Sequence, residues 1–171
     1  MNHRLSLALL LGALACTPEP SPEPAAARAE ESAPLTPIAD YAGWAFVSSP
    51  SGPSAFAIRD AEAFEAFLAR IPDTVPSKRR PAPPNDDALR AAGAPDFAQH
   101  MLVVSVRESM YVGPRVARLE RTDPGLEVTV EHPPLGDTIH AAAILELGRY
   151  HAVLVPRVDG PLASEVVEVP E

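Results

Sequence analysis

A chain of 171 residues holds one ordinary domain once its ends are set aside, and 46% apolar with 22% charged residues is a globular composition. The net charge of −9 and a single basic run, Lys78-Arg79-Arg80, leave no basic face to neutralise phosphates, so nucleic acid is excluded as an expected partner. The one cysteine, Cys16, excludes a disulfide framework and a thiolate zinc site.

Residues 1–15 have the three parts of an export signal: a charged start through Arg4, an apolar run from Leu5 to Leu14, and small residues at Ala13 and Ala15. The run is shorter than the roughly 20 residues a permanent span needs. Cys16 follows at once. This arrangement resembles the lipobox of bacterial lipoproteins, although the family's Leu and small residue stand in inverted order here as Ala13 and Leu14. The resemblance implies cleavage between Ala15 and Cys16, a lipid on the Cys16 thiol, and attachment to a membrane. With Thr17 rather than Asp after the cysteine, it implies the outer membrane, on its periplasmic or surface face. Ala13-x-Ala15 also fits an ordinary signal-peptidase site, and the same cut then leaves a plainly secreted chain.

Residues 16–37 read as a disordered tether. Six prolines fall in the 21 residues from Thr17 to Pro37, and Leu35 is the only large apolar side chain, too little to offset the entropy of ordering. Proline at every second position from Pro18 to Pro24 favours an extended form, with a reach of at most ~60 Å. The domain is expected over residues 38–171.

Within it, Gly43 to Ser48 suggests a first strand, Pro50 to Pro53 a turn, and Ser54 to Ile58 a half-buried strand. Asp60 is a good N-cap, and Phe64, Phe67, Leu68 and Ile71 make one apolar stripe on a helix that Pro72 ends. A Pro-rich excursion over residues 72–95 follows, with a short helix expected at Asp86–Ala92 and Gly93 as its stop. Met101 to Val106 is a near-continuous apolar run, the mark of a strand buried on both faces. Arg115 to Arg121 is a weaker strand. Leu126, Val128 and Val130 alternate with Glu127, Thr129 and Glu131, the pattern of a strand with one wet face. Strands are also expected at Thr138–Leu147, whose Ala run could instead form a helical turn, at Tyr150–Val155 and at Glu165–Val169. The fold class is α+β: a mainly antiparallel sheet or sandwich with one amphipathic helix packed on it.

No phosphate-binding loop and no nucleophile elbow is present. His100, His132, His140 and His151 stand 32, 8 and 11 residues apart, which matches no metal pattern, although the last three could meet if their strands pair. No catalytic residue, cofactor or metal is expected.

Phe56-Ala57-Ile58-Arg59, the helix after it, the stretch from Pro95-Asp96-Phe97 into Val103-Val104, and Val153-Leu154-Val155-Pro156-Arg157 together resemble the PrcB-type C-terminal domain, named for a protease-complex subunit. The family's central turn, commonly Thr-Gly-Gly-Tyr, corresponds here to Ser109–Pro114, with the aromatic ahead of a single glycine. The resemblance implies a non-catalytic accessory module that stabilises or regulates a secreted protease. Met110, Tyr111, Gly113 and Pro114 are then the expected contact residues, with the 72–95 loop as a second contact. The alternatives are a protease inhibitor on a β-sandwich and an enzyme of unrecognised type.

Overall fold

The computed structural model describes residues 32–47, 54–109, 111–134 and 146–170. The leader, Ala15, Cys16, most of the tether, Met110 and His140 lie outside them, as does most of the strand expected at Thr138–Leu147.

Among the described residues, eight strands form two four-stranded sheets, with two helices laid against one of them. The strands are β1 (Ala33–Pro34), β2 (Ala39–Phe46), β3 (Phe56–Ile58), β4 (His100–Arg107), β5 (Arg115–Arg121), β6 (Leu126–His132), β7 (Leu147–Pro156) and β8 (Leu162–Glu168); the helices are α1 (Ala61–Leu68) and α2 (Ala88–Ala92). The first sheet runs β1-β5-β6-β8 and the second β2-β7-β4-β3. All pairs are antiparallel except β6 with β8, which are parallel because the chain crosses to the other sheet as β7 between them.

Strand periodicity explains the layers. On β6, Leu126, Val128 and Val130 are buried, and they join Met101 and Val103 of β4 and Val153 and Val155 of β7 in the core between the sheets. Alternate residues of the same two strands, Leu102 and Val104, Tyr150 and Ala152, point the other way and pack with Phe64, Phe67, Ile71 and Leu89 of the helical layer. The second sheet is therefore buried on both faces and the first on one. Each of these large apolar side chains contributes about 1.5–3 kcal/mol by leaving water.

The stripe on α1 packs as its spacing predicts. Asp60 Oδ1 accepts from the Ala63 N–H at 2.8 Å, starting the helix. The regular helix ends at Leu68, earlier than Ile71, because the last turn tightens. The N–H groups of Arg70 and Ile71 reach back only three residues, to the carbonyls of Phe67 and Leu68. Arg90 of α2 finishes the cap by donating to the carbonyls of Ile71 (2.6 Å) and Leu68 (3.4 Å).

Other boundaries differ from expectation: β7 begins at Leu147 rather than Tyr150 and β8 at Leu162 rather than Glu165, and three more have a visible cause. Ala33 and Pro34, placed in the disordered tether, pair with Arg121 and Glu120 of β5, and Leu35 packs against the inter-sheet core. One large apolar residue suffices here because a sheet edge waits to receive it. β2 begins at Ala39 rather than Gly43, since β7 offers a partner along its whole length. β3 is shorter than Ser54–Ile58, because the Ser54 carbonyl is taken by the Ser105 hydroxyl at 2.6 Å.

Candidate functional site

The strand ends sort into two poles. At one, β2 and β4 end, β7 begins, β5 begins and β6 ends, as the pairs Phe46 with Leu147, Arg107 with Arg149 and Arg115 with Glu131 require. Arg107 ties the two sheets there by donating to the Pro133 carbonyl at 2.7 Å. The connections at this pole are long: residues 47–55, 108–114, 133–146 and the 69–87 excursion.

The opposite pole is closed by tight turns. The Thr122 N–H reaches the Gly125 carbonyl, and the Leu126 N–H reaches the Pro161 carbonyl. Gly160 has φ +93°, and a Cβ on it would run into the Pro124 carbonyl. Arg59 and Arg157 knit this pole reciprocally. Arg157 donates to the carbonyls of Arg59 (3.0 Å) and Phe97 (2.7 Å), while Arg59 donates to those of Val158 (3.2 Å) and Gly160 (2.9 Å). The Val155-Pro156-Arg157 sequence is thus a structural tie in this fold. The chain also joins the domain here, since Ala33 pairs with the last residue of β5.

Of the expected contact residues, Tyr111 and Gly113 stand at the long-connection pole and Pro114 is buried beneath them. Tyr111 is 55% exposed. The Ser109 hydroxyl oxygen accepts from the N–H groups of Tyr111 (3.3 Å) and Val112 (3.1 Å), which fixes the turn. A Cβ on Gly113 would lie 3.2 Å from the Arg149 Cβ, so glycine lets the turn settle onto β7. The Arg149 guanidinium in turn lies over the Trp44 ring at 4.3 Å from its centroid. Phe46, next outward from Trp44 on β2, is 45% exposed.

The 72–95 excursion meets the same pole. Its first part, closed by a bridge between Thr74 and Pro84, overhangs the ends of β2 and β7 and leaves a groove of about 560 Å³ that Phe46 and Leu147 help to line. Trp44, Phe46 and Arg149 escaped the sequence reading. A lone tryptophan is a visible signal, but its pairing with Arg149 depends on the β2–β7 register, which no local pattern reveals.

Of the three histidines that could meet, His140 lies outside the described residues, and His132 and His151 have separate neighbours. His132 on β6 faces Glu168 at 3.5 Å, and His151 on β7 sits between the sheets near Asp40 at 3.8 Å. The His151 Nδ1 accepts from the Val116 N–H at 3.0 Å, beside the bulge in β5. Burial lowers the pKa of both rings; for His132 the Arg107 charge adds to this, and for His151 the attraction of Asp40 opposes it. Among the described residues no group of three or more His, Cys, Asp or Glu is placed to hold a metal, and no helix is long and apolar enough to cross a membrane.

One polar cluster is buried. The Tyr150 hydroxyl shares its proton between Asp87 Oδ1 (2.9 Å) and Oδ2 (2.8 Å), while Oδ1 also accepts from the N–H groups of Leu89 and Arg90 at the start of α2. Gly43 makes room for the pair; a Cβ there would meet Asp87 Oδ2 and stand 2.7 Å from the Tyr150 ring. Its groups satisfy one another, which makes it a structural clasp.

Compared with protein-family models, curated proteins and solved structures, the chain matches none.

Proposed function

We propose that this chain is a non-catalytic protein-binding module that engages its partner through the long-connection pole. The observation that carries this is the gathering of Tyr111, Trp44, Phe46 and Arg149 at one end of a rigid double sheet. Aromatic residues and arginine dominate binding energy at protein interfaces, and loops on a fixed scaffold are where such contacts are made. The turn is already held by Ser109, Gly113 and Pro114, so little ordering entropy opposes docking.

The partner is proposed to be a secreted or surface protease, and the effect on it either inhibition or stabilisation. The two-sheet sandwich favours the inhibitor, a reading that calls for a firm scaffold offering a glycine–aromatic turn. A lipid on Cys16 would tether the module to a membrane from the tight-turn pole, since the chain joins the domain there.

The test combines protease assays with and without the chain and the Tyr111→Ala variant. Inhibition or protection that Tyr111→Ala weakens roughly tenfold, with folding intact, is the expected result. Unchanged potency removes the site, and turnover of a substrate by the chain itself would replace the reading with an enzymatic one. Fatty-acid labelling that disappears in Cys16→Ala checks the anchor.

A further inference from the structure

The groove beside the binding pole has a chemistry opposite to the rest of the molecule. The chain carries 23 acidic against 14 basic residues. Lys78 and Arg80 nevertheless line the groove, and no described lining residue is acidic. Its apolar surface comes from Phe46 and Leu147 at the strand ends and from Val75 and Pro76 in the overhanging loop. Lys78 is the only lysine of the chain, and with Arg79 and Arg80 it forms the only basic run; all three side chains are exposed. Among the described residues Arg80 donates only to nearby carbonyls, those of Ser77 and Arg79 at 3.2 Å each, and neither Lys78 nor Arg80 is paired with a carboxylate in a salt bridge.

We infer that this groove binds an extended acidic segment of the partner protein, one that places apolar side chains against Phe46 and Leu147 and carboxylates against Lys78 and Arg80. The inference rests on the proposed binding function and names the kind of segment recognised. Three features argue for it. The floor is apolar and partly wet, with Phe46 45% exposed. The rim charge complements carboxylates in a molecule whose overall charge would repel them. The loop that supplies the rim is pinned at its base: Asn85 donates to the Pro72 carbonyl at 2.8 Å, and the Asn85 and Val75 N–H groups bond to the carbonyls of Asp73 and Pro83. A held loop with cations at its tip presents charge at fixed positions. The groove also shares Phe46 with the aromatic end, so one partner can span both.

The test selects random dodecapeptides on the whole chain and reads their sequences. Peptides with apolar residues flanked by Asp or Glu are expected to be enriched and to perturb the fluorescence of Trp44, the only tryptophan. Their affinity should fall by roughly tenfold or more in Phe46→Ala and in Lys78→Glu/Arg80→Glu, and should weaken as salt rises. Both variants change exposed side chains, so they should fold. No enrichment, no acidic bias, or equal binding to the charge-reversed variant would overturn the inference. Binding of phosphatidylglycerol vesicles that is lost in that variant, with no peptide selected, would assign the rim to a membrane surface instead. If Tyr111→Ala abolishes the effect on a protease while Lys78→Glu/Arg80→Glu does not, the groove assignment fails and the binding module stands.

Discussion

Replacing Tyr150 by Phe removes one oxygen from the interior and strands another. Asp87 is only 5% exposed, and among the described residues Tyr150 is the sole partner of its Oδ2; Oδ1 keeps the two N–H groups of α2. A hydrogen bond to a charged group contributes about 1.5–3 kcal/mol, and the orphaned oxygen adds its desolvation penalty, so Tyr150→Phe should destabilise by about 2–3 kcal/mol. Urea titration should show the loss as a lower midpoint at unchanged slope. Asp87→Ala alone removes the helix cap as well, so the pair is isolated by a double-mutant cycle with a coupling of about 1.5–3 kcal/mol. There is a second signature. Burial, then the hydrogen bond and charge of Asp87, raise the Tyr150 pKa far above that of a free phenol. An acid whose folded pKa is raised contributes stability below its unfolded pKa and loses it as pH rises past that point. The native chain should therefore weaken above about pH 10, and Tyr150→Phe should flatten that limb. Additive single effects, or an unchanged alkaline limb, would refute the account of the clasp.

Two further outcomes follow from the geometry. Gly160→Ala places a Cβ against the Pro124 carbonyl at a positive φ and should cost about 2 kcal/mol or more, read as a fall in Tm, because both atoms belong to interlocked turns that cannot separate. Lowering the pH should destabilise through His151: its folded pKa is depressed, chiefly by burial, so its contribution is full above about pH 6.5 and drains as pH falls below that. In His151→Ala the native chain should lose about 1 kcal/mol at neutral pH, with the Val116 N–H left unpaired, and show a shallower acid slope.

Local pattern carried much of the fold. The 3.6-residue stripe of α1, the alternation on β6 and the unbroken apolar run of β4 each reported the number of faces they bury, and those faces are the two cores. What depended on pairing stayed hidden. Ala39 to Ala42 reads as nothing in particular until β7 lies beside it, and Ala33–Pro34 is a strand only because β5 has a free edge. The candidate site divides the same way. Tyr111 and its glycine were legible as a turn between strands, whereas Trp44 and Arg149 meet across a register that sets residues 105 positions apart side by side, and Phe46 lines a groove whose other wall is a proline-rich loop without periodicity.

The two-residue strand β1 bears on where the chain can be cut ahead of the domain. Pro34 lacks an N–H, so β1 covers the outer side of β5 while offering little for another strand to grip, and Leu35 plugs the seam behind it, its N–H bonded to the Leu119 carbonyl. A cut ahead of residue 32 would leave the domain intact with that margin sealed. A cut a few residues later would peel away the seal, leave β5 bare, and give a fragment prone to stick to its own kind.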